Sequence, residues 1–171
     1  GWITGRLEGL RLKVEESERA LQGYRDHELL VDVRGVDSLA AKELDEITTQ
    51  LVTARRERTA AETLAMQINV LQGQPIDAFK SIPAVLADPS VHRAQEAQAE
   101  VERRISELSE RYGLRHPDMI AAQSELQSAT KDLAAQIQNA IQGVRKQYEV
   151  ALARERELVR ALESTKGDVK E

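Results

Sequence analysis

The chain has 171 residues, a length typical of one domain, and it contains no cysteine, which excludes disulfides, thiolate nucleophiles and cysteine zinc sites. Ala, Glu, Leu, Arg and Lys make up about half of the residues, whereas aromatic residues are only 3%, and this composition is typical of long helices or coiled coils. The net charge is −5 with acidic and basic residues interspersed, so no basic face predicts a nucleic-acid partner.

No apolar run is long enough to cross a bilayer as a helix, and no charged start followed by an apolar stretch indicates a signal peptide. We therefore expect the chain itself to contain neither. Its abrupt start and end predict a domain excised from a longer protein.

The first predicted helix runs from about residue 3 to residue 28. Its apolar residues follow heptad spacing for three heptads, the pattern of a coiled-coil seam: Ile3, Leu7, Leu10, Val14, Ser17, Leu21 and Tyr24. Residues 29–37 are predicted to interrupt it as a short extended segment with a turn at Gly35.

The second predicted helix covers about residues 38–72, with Asp37 or Ser38 as its N-cap. Its seam thins in the middle to alanine and one arginine: Leu44, Ile47, Leu51, Ala54, Arg58, Ala61, Ala65 and Ile68. Gly73 and Pro75 are expected to end the helix.

Residues 73–90 contain three prolines and are predicted to form short helical turns near 76–79 and 84–87, with Phe79, Ile82, Val85 and Leu86 as a small apolar cap. The third helix is predicted over about residues 89–112. Asp88 at the N-cap and Pro89 at the first position are a strong start signal.

Gly113 is expected to end the third helix in a left-handed conformation. Pro117 then opens a last helix that extends to about Ser164, roughly 70 Å at the usual rise per residue. Its predicted stripe includes Met119, Leu133, Ile137, Glu155 and Leu158.

These patterns predict an all-α fold: a single helical domain over residues 1–171, built as an elongated antiparallel bundle or coiled-coil hairpin with one very long C-terminal helix. Two topologies remain open. The helices alternate up and down, or the first two climb together while the last two descend.

Three histidines are the groups with unperturbed pKa values near neutrality. His27 is expected to be a cation at a helix C-terminus, because no ligand stands four residues away. We expect His92 to face solvent, and His116, which precedes a proline, to be a turn residue.

The sequence predicts no catalytic, cofactor-binding or metal-binding residues. It contains no glycine-rich phosphate loop, no G-x-S-x-G and no H-E-x-x-H motif. Arg55, Arg56 and Arg58 form the densest basic cluster, and we interpret it as a solvated surface rather than as a site for an anionic polymer or lipid.

Two stretches resemble a known protein family. The first combines the residues around Trp2–Tyr24 and Arg25 with Leu30-Val31-Asp32. The second, more specific one runs from Arg104 through Leu108-Ser109, Tyr112-Gly113 and His116-Pro117 to Met119. In this order they resemble the helical periplasmic segment of bacterial polysaccharide co-polymerases, the chain-length determinant and exopolysaccharide transport proteins of the Wzz, Wzc and GumC types.

The resemblance implies a periplasmic segment of an inner-membrane protein that controls polysaccharide chain length or export. It implies a homo-oligomer that works with a polysaccharide polymerase or export machinery, and contact with the glycan is a further possibility. Transmembrane helices, an α/β base and, in some relatives, a tyrosine autokinase would lie outside this chain, so the membrane is reached only through missing flanking helices. No cofactor is implied.

From the resemblance we expect a non-catalytic scaffold. The site prediction is the family-motif turn of Tyr112, Gly113, His116, Pro117 and Met119, which is either a shaped turn that positions helices or protomers, or a plain helix break. Two other interpretations stay open: the α-hairpin of a periplasmic adaptor in an export or efflux system, and a generic coiled-coil scaffold.

Overall fold

The computed structural model describes residues 1–170, with side chains through Asp168. The all-α class is confirmed, and no strand occurs within these residues. The order of elements is α1 (Trp2–Val70), a 3₁₀ helix (Ile76–Ser81), α2 (Pro83–Leu86), α3 (Pro89–Ser109) and α4 (Pro117–Lys170).

Helix α1 is continuous, so the predicted interruption at residues 29–37 is wrong. The apolar and β-branched residues of that stretch have lower helix propensity than alanine, and Gly35 costs up to about 1 kcal/mol, but no proline removes a backbone donor there. Local propensity alone does not end the helix. Because the predicted first and second helices are one helix, neither predicted four-helix topology applies.

The end of α1 is built as expected. The helix stops at Val70, and Gly73 has φ of 87°, the only positive φ among the described residues. The backbone N–H of Gln74 donates to the Leu71 carbonyl at 3.0 Å. Gly73 takes the left-handed conformation that closes a helix and that residues with a Cβ disfavour.

The start of α3 is confirmed. The Asp88 carboxylate accepts hydrogen bonds from the backbone N–H groups of Ser90 at 2.9 Å and Val91 at 3.2 Å, with Pro89 at the first helical position. This satisfies two of the donors that a helix leaves free at its N-terminus.

The chain divides into two compact units, which are described separately. One holds Gly1–Leu51 together with the chain from Leu158 onward, and the other holds Val52–Glu157. In the first unit, residues 1–39 are all exposed, whereas Ala40, Leu44 and Ile47 are half-buried. On α4, Leu158 and Thr165 are buried, and the Thr165 hydroxyl donates to the Ala161 carbonyl.

The second unit has an apolar core where the short elements meet the long helices. Its buried members come from α1, the connecting segment, α3 and α4: Ile68, Phe79, Ile82, Val85, Val91, Ala94, Leu133, Ile137 and Ile141. The predicted cap residues Phe79, Ile82 and Val85 are confirmed as buried, and Leu86 is half-buried. Residues 71–88 thus join α1 to α3 through a packed segment.

Within this unit, α3 and α4 form an antiparallel hairpin. Gln98 donates to the Thr130 hydroxyl at 3.1 Å, and Arg104 lies 2.9 Å from Glu125, so residue numbers rise along one helix as they fall along the other. Residues 52–70 of α1 face a later part of α4.

The predicted seams are confirmed where α1 and α4 lie in the second unit. The seam positions Ala54, Ala61, Ala65 and Ile68 of α1 are buried, as are Leu133 and Ile137 of α4. Heptad spacing therefore identified the faces that pack. No described helix is long and apolar enough to span a membrane.

Candidate functional site

The turn between α3 and α4 has His116 as the N-cap of α4. The His116 Nδ1 atom accepts a hydrogen bond from the Asp118 backbone N–H at 3.1 Å, and the His116 carbonyl accepts from Ile120 N–H at 2.9 Å. Pro117 stands at the first helical position, where its missing N–H has no cost. The His116 imidazole thus takes the N-capping role that Ser, Thr, Asp or Asn usually has.

The Tyr112 ring stacks on the His116 ring, with centroids 3.9 Å apart and planes inclined by 19°. Leu114 lies between them in sequence and is 78% exposed. Met119, by contrast, is 1% exposed and anchors the first turn of α4. The Gly113 carbonyl accepts a hydrogen bond from the His116 backbone N–H at 3.1 Å. The structure therefore brings all five predicted motif residues together at this turn: Tyr112, Gly113, His116, Pro117 and Met119.

Gly113 departs from its prediction. It does not have a positive φ, so the expected left-handed cap is wrong at this position. A Cβ added to Gly113 would meet no heavy atom within 4 Å. The α3 end closes instead through hydrogen bonds from the backbone N–H groups of Arg111 and Tyr112 to the Leu108 carbonyl, at 3.0 and 2.9 Å.

The other two histidines lie on exposed helix surfaces. His92 is exposed as predicted, with its Nε2 2.9 Å from Glu96 Oε1. His27 is exposed too, but α1 continues past it, so its predicted place at a helix C-terminus is wrong. Within the described part of the chain, no group of three His, Asp or Glu residues is arranged to hold a metal ion.

A charged cluster lies between α1 and α4 in the second unit, and sequence reasoning missed it. Arg58 Nε donates to Glu155 Oε2 at 2.5 Å, and Arg58 Nη1 donates to Glu62. Arg55 Nε lies 3.9 Å from the other Glu155 oxygen. The side chains of Arg58 and Glu155 are 26% and 16% exposed, so the solvated-surface interpretation is wrong for Arg58.

The hydrogen bonds from Arg58 to Glu155 and Glu62 raise the pKa of the Arg58 guanidinium above its ordinary value. Both carboxylates are bound to the same cation, so the cluster is electrostatically satisfied. The signal that could have found it was in the sequence: Arg58 and Glu155 are the charged residues at the seam positions of two helices predicted to pack.

An open groove lies next to this cluster where the α1 seam is alanine. Its volume is about 400 Å³. The small side chains that leave this space are Ala60 and Ala61 on α1 and Ala151 on α4. The groove is also lined by Glu57, Leu64, Gln147, Val150 and Arg154. The alanines therefore leave a gap at this position.

The surface ion pairs of α3 join residues three and four positions apart on the helix and also reach across to α4. Arg103 bridges Glu100 at 2.6 Å and Glu107 at 2.5 Å, whereas Arg104 reaches across to Glu125 on α4. The hydrogen bond from Arg103 lowers the pKa of Glu100 and in return raises that of Arg103.

One curated relative is similar to almost the whole chain. The succinoglycan biosynthesis transport protein ExoP of Rhizobium meliloti (strain 1021) is 23% identical over 170 residues, which is 97% of this chain and 22% of that protein. The chain thus spans about a fifth of the length of this relative. No family model and no solved structure matches the chain.

Proposed function

We propose that this chain is a non-catalytic helical scaffold within a longer bacterial inner-membrane protein that controls the length or export of a polysaccharide. The observation that carries the proposal is the similarity to ExoP, which extends over 97% of the chain. Distant homology at that coverage supports a role in polysaccharide export or chain length. The periplasmic location and the scaffold role belong to the proposal.

The scaffold would work through helices held in a fixed axial register. In the second unit, residues 52–70 of α1 face α4, and the Arg58–Glu155 pair joins the two helices at one position. A charged pair at a seam position is paired in only one register, because sliding either helix would leave a partly buried charge without its partner. Such a pair of helices can hold other parts of the longer protein at a set distance.

The charged residues of the cluster are bound to one another's side chains across and along the helices, which supports a structural role for them. Arg58 donates hydrogen bonds to both Glu155 and Glu62, so both carboxylates are held by the same cation. The proposed partners are further copies of the same protein and the polymerase or export machinery. A kinase, where the longer protein has one, would lie outside this chain.

The α3–α4 turn would position these two helices against each other or against a neighbouring copy. The His116 cap and the Tyr112–His116 stack give it a defined shape. That ordered shape supports a shaped turn over a plain break in the helix.

Deletion of residues 38–163 from the longer protein tests the proposal. We expect the exported polysaccharide to change in length distribution or to disappear, as measured by gel analysis of the polymer. Immunoblotting of membranes must show the shortened protein at normal level. An unchanged polymer pattern at normal protein level would overturn the proposed function.

A further inference from the structure

The N-terminal part of α1 carries an apolar seam that has no partner among the described residues. We define the N-terminal seam as the a and d positions of its first heptads: Ile3, Leu7, Leu10, Val14, Ser17, Leu21 and Tyr24. The apolar and aromatic side chains of this set are between 50% and 67% exposed. An uncovered stripe of this length along a helix indicates an interaction surface.

The N-terminal seam is complementary to itself when a second copy of the chain runs in the opposite direction. In an antiparallel coiled coil the a positions of one helix face the d positions of the other. The layers so formed are Val14 with Ser17, Leu10 with Leu21 and Leu7 with Tyr24. Each layer occurs twice about the two-fold axis. Large side chains therefore meet on both sides of a centre made of smaller ones, which allows the seam to fill without a gap.

The charges beside the seam fit this antiparallel arrangement. Arg11 and Glu18 are both e positions, and the e positions of two antiparallel helices face each other. Arg11 of each copy therefore lies opposite Glu18 of the other, which gives two opposite-charge pairs per dimer. In its own chain Arg11 lies 3.7 Å from one carboxylate and is 82% exposed, so its guanidinium is accessible to a second copy. The g positions on the other edge bring together no two residues of fixed like charge: Lys13 with Ala20, and Arg6 with His27.

A parallel second copy fits the same flanks less well. It would also bring Lys13 opposite Glu18. It would, however, place Arg6 opposite Arg11 and, at the a position that follows the seam, Glu28 opposite Glu28. Like charges at these positions disfavour pairing. The charges thus select the antiparallel orientation, whereas the apolar layers supply most of the stabilisation, because exposed ion pairs contribute little.

We propose that the N-terminal seam joins two copies of this chain as an antiparallel two-stranded coiled coil. The proposed function names further copies as partners, and this inference adds the surface on which two of them meet. It is argued from the seam and its flanking charges and does not rest on the polysaccharide role. A chain that stays monomeric would therefore overturn the pairing and leave the outcome of the deletion experiment open.

Sedimentation equilibrium of the 171-residue chain tests the pairing. One copy has a mass of 19.1 kDa, and we expect the measured mass to rise to twice that value as the concentration increases. Leu10 lies in the seam, whereas Leu12 lies at an f position that faces away from it. Leu10→Asp should therefore hold the chain at the mass of one copy, and Leu12→Asp should retain the dimer. Circular dichroism must show that both variants keep the thermal transition of the second unit.

Three results would overturn the proposal. The first is a mass of one copy at every concentration up to the millimolar range. The second is an assembly larger than two copies. The third is an equal effect of Leu10→Asp and Leu12→Asp on the mass, because the contact would then lie away from the seam.

Disulfide cross-linking tests the orientation of the two copies. The chain contains no cysteine, so the single variants Leu10→Cys and Leu21→Cys can be mixed, oxidised and analysed by peptide mass spectrometry. In the antiparallel pair these two positions face each other, whereas the two copies of position 10 lie roughly 16 Å apart along the axis, too far for a disulfide. We expect the cross-link to join position 10 to position 21. Cross-links that join position 10 to position 10 instead would contradict the antiparallel pairing.

Discussion

Arg58 Nε donates a hydrogen bond to Glu155 Oε2 over 2.5 Å and so joins two residues that stand 97 positions apart. Both occupy positions where heptad spacing predicts apolar side chains. Each therefore makes charged contacts at a position where an apolar contact is expected. The pair fixes which residue of α1 lies beside which residue of α4, as a polar residue in a coiled-coil seam does.

Breaking this pair is expected to destabilise the second unit. Glu155→Arg would place three guanidinium groups together, those of Arg55, Arg58 and the new side chain, within a partly buried site. We expect a clear fall in Tm by circular dichroism, and the double variant Arg58→Glu with Glu155→Arg should recover part of it, because the opposite charges face each other again.

Arg11 provides the control for that series. It pairs with Glu15 at 3.7 Å, but its side chain is 82% exposed, and exposed pairs of this kind contribute little to stability. Arg11→Ala should leave Tm unchanged. A Tm for Glu155→Arg equal to that of Arg11→Ala would contradict the proposed role of the pair.

Two glycines that both follow helices should respond differently to alanine. Gly73 has φ of 87°, whereas Gly113 does not have a positive φ, and neither has a heavy atom within 4 Å of an added Cβ. Gly73→Ala should cost about 1–2 kcal/mol through the left-handed backbone alone. Gly113→Ala should be neutral or slightly stabilising. Chemical denaturation measures both, and equal costs would show that backbone conformation does not separate them.

The cap of α4 can be separated from the ring stack by two substitutions at His116. His116→Ala removes the acceptor for the Asp118 N–H and the stack on Tyr112, and should cost about 1 kcal/mol or more. His116→Asn restores an acceptor without the ring and should recover most of the loss. If Asn is as destabilising as Ala in urea denaturation, the stack is the main contribution and the cap is minor.

The core of the second unit should be sensitive to loss of side-chain volume. Ile137 is fully buried, whereas Ile120 on the same helix is 56% exposed. Ile137→Ala is expected to cost about 2–5 kcal/mol, because it removes apolar contacts and leaves a cavity. Ile120→Ala should stay within about 0.5 kcal/mol of the parent. Similar costs in urea denaturation would mean that Ile137 is not part of a packed core.

Several local features could be predicted from the sequence because they depend on neighbouring residues. The Asp88-Pro89 start, the short turns after Pro75 and the buried seam through Ile68 and Ile137 follow from capping and spacing rules. These rules concern one helix at a time, so they succeed wherever a helix has strong local signals.

The failures concern features that depend on the rest of the fold. Residues 29–37 look like a break locally, but nothing in them ends a helix in the structure. We expect the left-handed backbone conformation at Gly113, but among the described residues it occurs at Gly73. Either glycine could adopt this conformation, so the local sequence does not choose between them. Arg58 looked solvated among other arginines, and only the position of Glu155 on the facing helix determines its partner.

The size distribution of the exported polysaccharide tests the scaffold proposal most directly when it is measured across the Arg58 and Glu155 variants of the longer protein. We predict that Glu155→Arg shifts the distribution or reduces export, and that the double variant with Arg58→Glu restores it, while membrane levels of the protein stay constant. An identical distribution for the parent, the single variant and the double variant would contradict the proposal that the register of these helices controls the length or export of the polymer.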